Sequence, residues 1–232
     1  LAFPTVILYV LGGLGPVAVA SLLVAGGRWD ATLDRTAFEF LRRAFDPRTL
    51  ALRWYLWILG LGLLLSVMPV LLDPAVLREH GLLEHGPGLF LLVGILAGAL
   101  EEPGWRGYAQ EGLQRRLPVV VTSLVIGVFW AVWHLPLFFI SGTYQAGLGV
   151  GTPAFWAFNL VILVESPIYA WLYNKAGRVP LAAVLFHALG NVLGELIPDA
   201  SNVANVGVTA ALSVILTFAA WSLMGRCRPP QH

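Results

Sequence analysis

"LVGILAGALEEPGWRGYAQEGLQRR", residues 92–116, carries an uncharged apolar run straight into two adjacent carboxylates, Glu101 and Glu102. The run reads as a helix entering lipid. A carboxylate there costs at least about 2.5–3.5 kcal/mol on insertion scales, so something in the fold must offset it. Arg106 stands four residues after Glu102, with the acid on the N-terminal side, the favoured direction for an ion pair along one helix. Glu101 points about 100° away from Glu102 around the same helix. The two acids therefore do not easily share one arginine, and Glu101 has no partner at helical spacing. An unpaired carboxylate in a partly dry cavity suits a general base.

The rest of the chain agrees with lipid as the solvent. Apolar residues make up 58% of it and charged residues 12%, with a mean hydropathy of +0.77. A soluble domain carries about 25% charge. Seven stretches approach the roughly 20 residues needed to cross the hydrocarbon: 4–26, 54–72, 89–112, 119–140, 154–174, 181–197 and 207–225. The fold expected is an all-α, polytopic transmembrane helical bundle of about seven spans, with a cavity between those bearing residues 101, 134 and 187. The chain divides into N-terminal spans with a cytoplasmic linker (1–88), a core (89–197), and a last span and tail (198–232). Residues 1–26 lack a basic n-region and a small-residue exit, which argues against a cleaved signal peptide.

Basic residues set an orientation. Arg28, Arg35, Arg42, Arg43, Arg48 and Arg53 follow the first span, while Arg78 stands alone in the next connection. The alternation continues with Arg115 and Arg116, Lys175 and Arg178, and Arg226 and Arg228, so that twelve of the fourteen basic residues fall on one side. That side is expected to be cytoplasmic. Residues 32–45 space apolar and basic residues at helical period and fit either a helix lying on the inner leaflet or a solvated linker helix. A net charge of +1 offers no field to attract nucleic acid, and the single cysteine, Cys227, excludes an internal disulfide framework.

Further polar residues fall within or at the ends of the spans: His134, Asn159, Glu165, His187, Asn191 and Glu195. Ionisable groups at such depth ordinarily face a bundle interior or a wet cavity. His187 and Asn191, in "LFHALGN", share one helix face and together offer two hydrogen bonds to one developing negative charge. His134, in "FWAVWHLPLF", sits just before a helix-loosening proline. Glu165 beside Pro167 reads as an acid that binds local donors, Asn159 and Glu195 as packing or rim residues, and the tryptophans as interfacial belts and core packing.

These residues resemble the CPBP family, the CAAX prenyl protease and bacteriocin-processing intramembrane endopeptidases. The family's E-E-x-x-x-R stands here as Glu101, Glu102 and Arg106, its aromatic-x-x-x-His as Trp130 and His134, and its His-x-x-x-Asn as His187 and Asn191. Trp130 departs from the family's usual phenylalanine. The resemblance covers residues 89–197. It implies a hydrolase that cuts a peptide bond of a membrane-anchored substrate, prenylated or not, inside the membrane, near the cytoplasmic face and in a prokaryotic cell membrane. In that reading Glu101 and His134 activate water, His187 and Asn191 hold the oxyanion, and Glu102 with Arg106 orients the base. The family name often includes "metalloprotease"; a zinc or other divalent ion would draw on Glu101, His134 and His187, yet there is no H-E-x-x-H and a glutamate-activated water needs no metal. Two other classes stay open: a non-catalytic membrane scaffold or immunity protein, and a proton-coupled transporter whose Glu and His residues form a relay.

Overall fold

The computed structural model describes residues 3–27, 34–72, 89–196 and 203–224. Among these every regular element is helical, as a chain in lipid requires, because only helices and closed barrels satisfy all backbone polar groups internally. The helices are α1 (Phe3–Ala25), α2 (Ala37–Phe45), α3 (Leu52–Leu72), α4 (Leu89–Glu102), α5 (Val119–His134), α6 (Tyr144–Leu148), α7 (Pro153–Lys175), α8 (Pro180–Leu196) and α9 (Val203–Met224). A helix thus stands at each of the seven apolar stretches. Val119–Phe139 and Pro153–Lys175 are the two among the described residues that are long and apolar enough to cross a membrane, and shorter apolar helices cover Gly12–Ala25, Leu52–Met68, Pro180–Gly194 and Val208–Ala219. The readings made at Arg28, Arg78, Arg226, Cys227 and Arg228, and of the Glu195 side chain, lie outside the described residues.

The helices start where the sequence supplies caps. Thr152 accepts a hydrogen bond from the Phe155 amide at 3.1 Å, and Pro153 opens α7, where its missing N–H costs nothing. Between α7 and α8 the chain reverses through Gly177 and Arg178, both in the left-handed region. A non-glycine residue there is held by its surroundings: the Arg178 amide donates to the Tyr173 carbonyl at 2.8 Å, its own carbonyl accepts from Arg43, and its guanidinium lies 3.1 Å from Glu111. Tyr173 donates to Glu111 at 2.6 Å, and Arg43 is also paired with Asp34. This polar cluster locks α2 and the α7–α8 turn onto the end of the helix that carries the paired acids.

Outside, the surface is apolar. Leu52, Phe129, Phe139 and Phe218 are all well exposed, the reverse of a water-soluble arrangement in which such a continuous apolar exterior is rare. Inside, Leu50, Trp54, Ile58, Trp130, Ile168, Leu172, Ala182 and Phe186 belong to one buried cluster. Of the two readings left open for 32–45, neither describes α2 fully. Its Phe40 and Ala44 are wholly buried, so the helix is docked on the protein, while Arg35, Phe38, Arg42 and Phe45 form an exposed stripe at helical spacing.

The stretch that opened the reading is not one straight α-helix. After Glu102 the backbone widens into a π-helical segment, Pro103–Gln110, before closing with a normal turn at Glu111–Leu113. Pro103 has no N–H to continue the i→i−4 ladder, and a wider turn is one way for a helix to run past it. Glycines then bring neighbours close. A Cβ on Gly104 would lie 2.6 Å from the Pro16 carbonyl oxygen of α1, and one on Gly98 would lie 2.7 Å from the backbone nitrogen of Ala188 in α8. The second contact matters most: it presses the helix bearing Glu102 directly against the helix bearing His187.

Candidate active site

Glu101, Glu102, Arg106, Trp130, His134, Ser166, Tyr169 and His187 gather where α4, its π extension, α5, α7 and α8 meet. Glu102 and Arg106 are both completely buried. One guanidinium nitrogen of Arg106 donates to both Glu102 oxygens, at 2.9 and 3.1 Å, and the other donates to Ser166 at 3.2 Å. Ser166 in turn donates to the Ser123 carbonyl at 2.7 Å. The guanidinium lies 4.5 Å from the ring centroids of both Trp130 and Tyr169. Aromatic faces attract a desolvated cation by up to about 2 kcal/mol or more. These contacts offset the desolvation of Arg106, whose Nε has no hydrogen-bond partner among the described residues.

The spacing argument holds for Glu102 and is incomplete in two respects. Glu102 also meets His187, whose Nδ1 lies 2.9 Å from Oε1. A carboxylate only accepts, so Nδ1 carries the proton in this contact. Glu101, expected to lack a partner, has one on another helix: the Trp130 indole N–H donates to its Oε2 at 2.8 Å. Glu101 is buried at 6% exposure. Its assignment as the acid that does not share Arg106 stands, while its isolation does not.

His134 is half-buried, and its Nδ1 lies 2.8 Å from the Trp130 carbonyl. A carbonyl too can only accept, which fixes the proton on Nδ1 and leaves Nε2 as the basic nitrogen of the neutral ring. Phe158 packs edge-on to the ring at 5.5 Å. Asn191 is half-buried one turn beyond His187.

The belt-and-core reading of the tryptophans missed the contacts that Trp130 makes with Glu101, Arg106 and His187. Nothing in a single sequence separates an indole facing lipid from one donating to a buried acid; the signal was its place four residues before His134. Asn159 fits the packing role, donating to the Phe155 carbonyl at 2.8 Å.

Among the described residues no three His, Cys, Asp or Glu side chains come together to hold an ion. Trp130 donates to one oxygen of Glu101, while Glu102 meets Arg106 and His187.

Comparison with known proteins bears on the same residues. Residues 84–193 match the family model described as "Type II CAAX prenyl endopeptidase Rce1-like". A segment of 114 residues is 39% identical to CAAX prenyl protease 2 of Methanococcus maripaludis, covering 48% of this chain and 41% of that protein. The match therefore spans less than half the length of the relative. All three motifs, from Glu101 to Asn191, fall inside the residues that match this family model.

Proposed function

We propose that the protein is an intramembrane endopeptidase that hydrolyses a peptide bond of a membrane-anchored substrate with a prenylated C-terminal CAAX segment, using water activated by Glu101 and His134. The observation that carries this reading is the pair of basic atoms that take no hydrogen bond among the described residues: one oxygen of Glu101, and His134 Nε2. Its support from outside the geometry is the family model that residues 84–193 match and the printed name of the relative.

The reaction divides among the residues as follows. Glu101, assisted by His134, takes a proton from water while the oxygen adds to the scissile carbonyl carbon, which becomes tetrahedral with a negative oxygen. Asn191 and His187 Nε2–H donate to that oxygen. The second role needs a proton on both His187 nitrogens, and Glu102 against Nδ1 is the counter-ion that such an imidazolium requires. Collapse of the intermediate breaks the C–N bond, and the proton taken from water passes to the leaving amine. Arg106 takes no part in bond changes; it anchors Glu102, which anchors His187. Each oxyanion donor of this kind contributes about 10²–10³ in turnover.

No step passes through a metal. Protein purified in strong chelator is expected to keep its activity and to contain no stoichiometric zinc. Activity that disappears with the metal and returns only with zinc would overturn that part of the mechanism.

All seven long helices span the membrane in this reading, with the loops bearing Arg35–Arg53, Arg115–Arg116 and Lys175–Arg178 in the cytoplasm and the catalytic cavity opening there. Single cysteines placed at 145 and 203 are expected to react with an impermeant reagent added outside intact cells, and one at 117 to react only after lysis. The opposite pattern would invert the orientation and put the cavity on the other side. The reading as a whole is tested by incubating the purified protein with a membrane-anchored peptide and its Glu101→Gln variant in parallel. A scaffold or a transporter would leave the peptide whole.

A further inference from the structure

Trp130 meets Glu101, Arg106, His134 and His187. Its indole N–H donates to Glu101 at 2.8 Å, and its backbone carbonyl accepts from His134 Nδ1 at 2.8 Å. Its ring carries the Arg106 guanidinium at 4.5 Å and meets the His187 ring at 5.2 Å, edge to face. It is 3% exposed, packed between Tyr169 of α7 and the paired acids. The two groups assigned to water activation come from different helices, and the structure gives them one common hydrogen-bonding partner. A phenylalanine in this position would keep the ring contacts and the carbonyl but would have no N–H to offer Glu101.

We propose that Trp130 is a positioning residue for water activation: its N–H holds the Glu101 carboxylate by one oxygen, leaving the other for water, while its carbonyl fixes the His134 tautomer, so that one residue registers both halves of the pair. The inference rests on the endopeptidase reading. It adds a requirement specific to this chain, that the indole nitrogen itself is needed.

The test uses the full chain reconstituted in a bilayer and the Trp130→Phe variant. Losing one hydrogen bond to a charged group is expected to lower kcat by roughly tenfold to a hundredfold. KM is expected to stay within about twofold and the melting temperature nearly unchanged, because the aromatic contacts with Arg106, Tyr169 and His187 survive. Introduced beside Glu101→Gln, the same change is expected to cost little more, since coupled residues are not additive. A kcat equal to the parent's, or a loss that simply adds to that of Glu101→Gln, would overturn the proposal.

A second measurement does not depend on turnover. With nine tryptophans in the chain, the indole N–H resonance of Trp130 is identified in ¹⁵N-tryptophan-labelled protein as the one missing from Trp130→Phe. In Glu101→Ala it is expected to move upfield, as an N–H released from a carboxylate does. A resonance that stays in place would refute the hydrogen bond. If the parent cleaves no peptide, the endopeptidase reading falls, and the resonance still decides whether Trp130 holds Glu101.

Discussion

Glu101→Gln is expected to lower turnover by about 10²–10⁴, the range that a positioned general base supplies. The amide keeps the size of the acid and retains an oxygen to accept from Trp130 Nε1, so the geometry around it is preserved and the loss falls on proton transfer alone. The melting temperature is therefore expected to stay close to that of the parent, and KM to change little. Stopped or continuous cleavage of a fluorogenic membrane-anchored peptide measures the rate, and the thermal transition in the same detergent measures stability. An equal rate in parent and variant would remove Glu101 from the mechanism. A rate loss accompanied by unfolding would show instead that the acid is structural.

Glu102→Gln has the opposite profile. Glu102 and Arg106 are entirely buried, and removing one partner from such a pair strands the other charge at a cost of about 3–5 kcal/mol. The amide has one oxygen for Arg106 where the carboxylate has two, and no negative charge for His187 Nδ1. Folded yield and melting temperature are expected to fall first, with turnover falling as His187 loses its anchor. If Glu102→Gln folds as well as the parent and loses only activity, the ion pair is not what holds α4 to α8, and Glu102 has a direct catalytic role.

The contrast between these adjacent acids was partly legible in the sequence. The i, i+4 spacing of Glu102 and Arg106 and the 100° offset of Glu101 are properties of a single helix, and they survive the π widening at Pro103–Gln110. The helices themselves were legible because lipid allows few alternatives and the apolar runs are long. What a single helix cannot report is contact between helices. Glu101 looked unpartnered because its partner, Trp130, comes from α5, 29 residues away. The His187–Glu102 contact was hidden for the same reason: it depends on the absence of a side chain at Gly98, which brings α8 against α4. The π turn had a cue in Pro103–Gly104, but proline alone signals a break or kink as readily as a widened turn. Likewise α2 showed its amphipathic period, whereas the burial of Phe40 follows from a bare surface at Gly107, where a Cβ would lie 3.0 Å from the Phe40 ring.

The central claim is that these buried groups hydrolyse a peptide bond with water. The most direct test is to incubate the reconstituted parent with a prenylated, membrane-anchored CAAX peptide in ¹⁸O-labelled water and to weigh the products by mass spectrometry. The account predicts two fragments from a single cleavage, with one ¹⁸O in the newly formed carboxylate, a new amine on the other fragment, and almost no product from Glu101→Gln under the same conditions. An intact peptide after prolonged incubation with folded parent protein, or fragments formed equally by the Glu101→Gln variant, would contradict it.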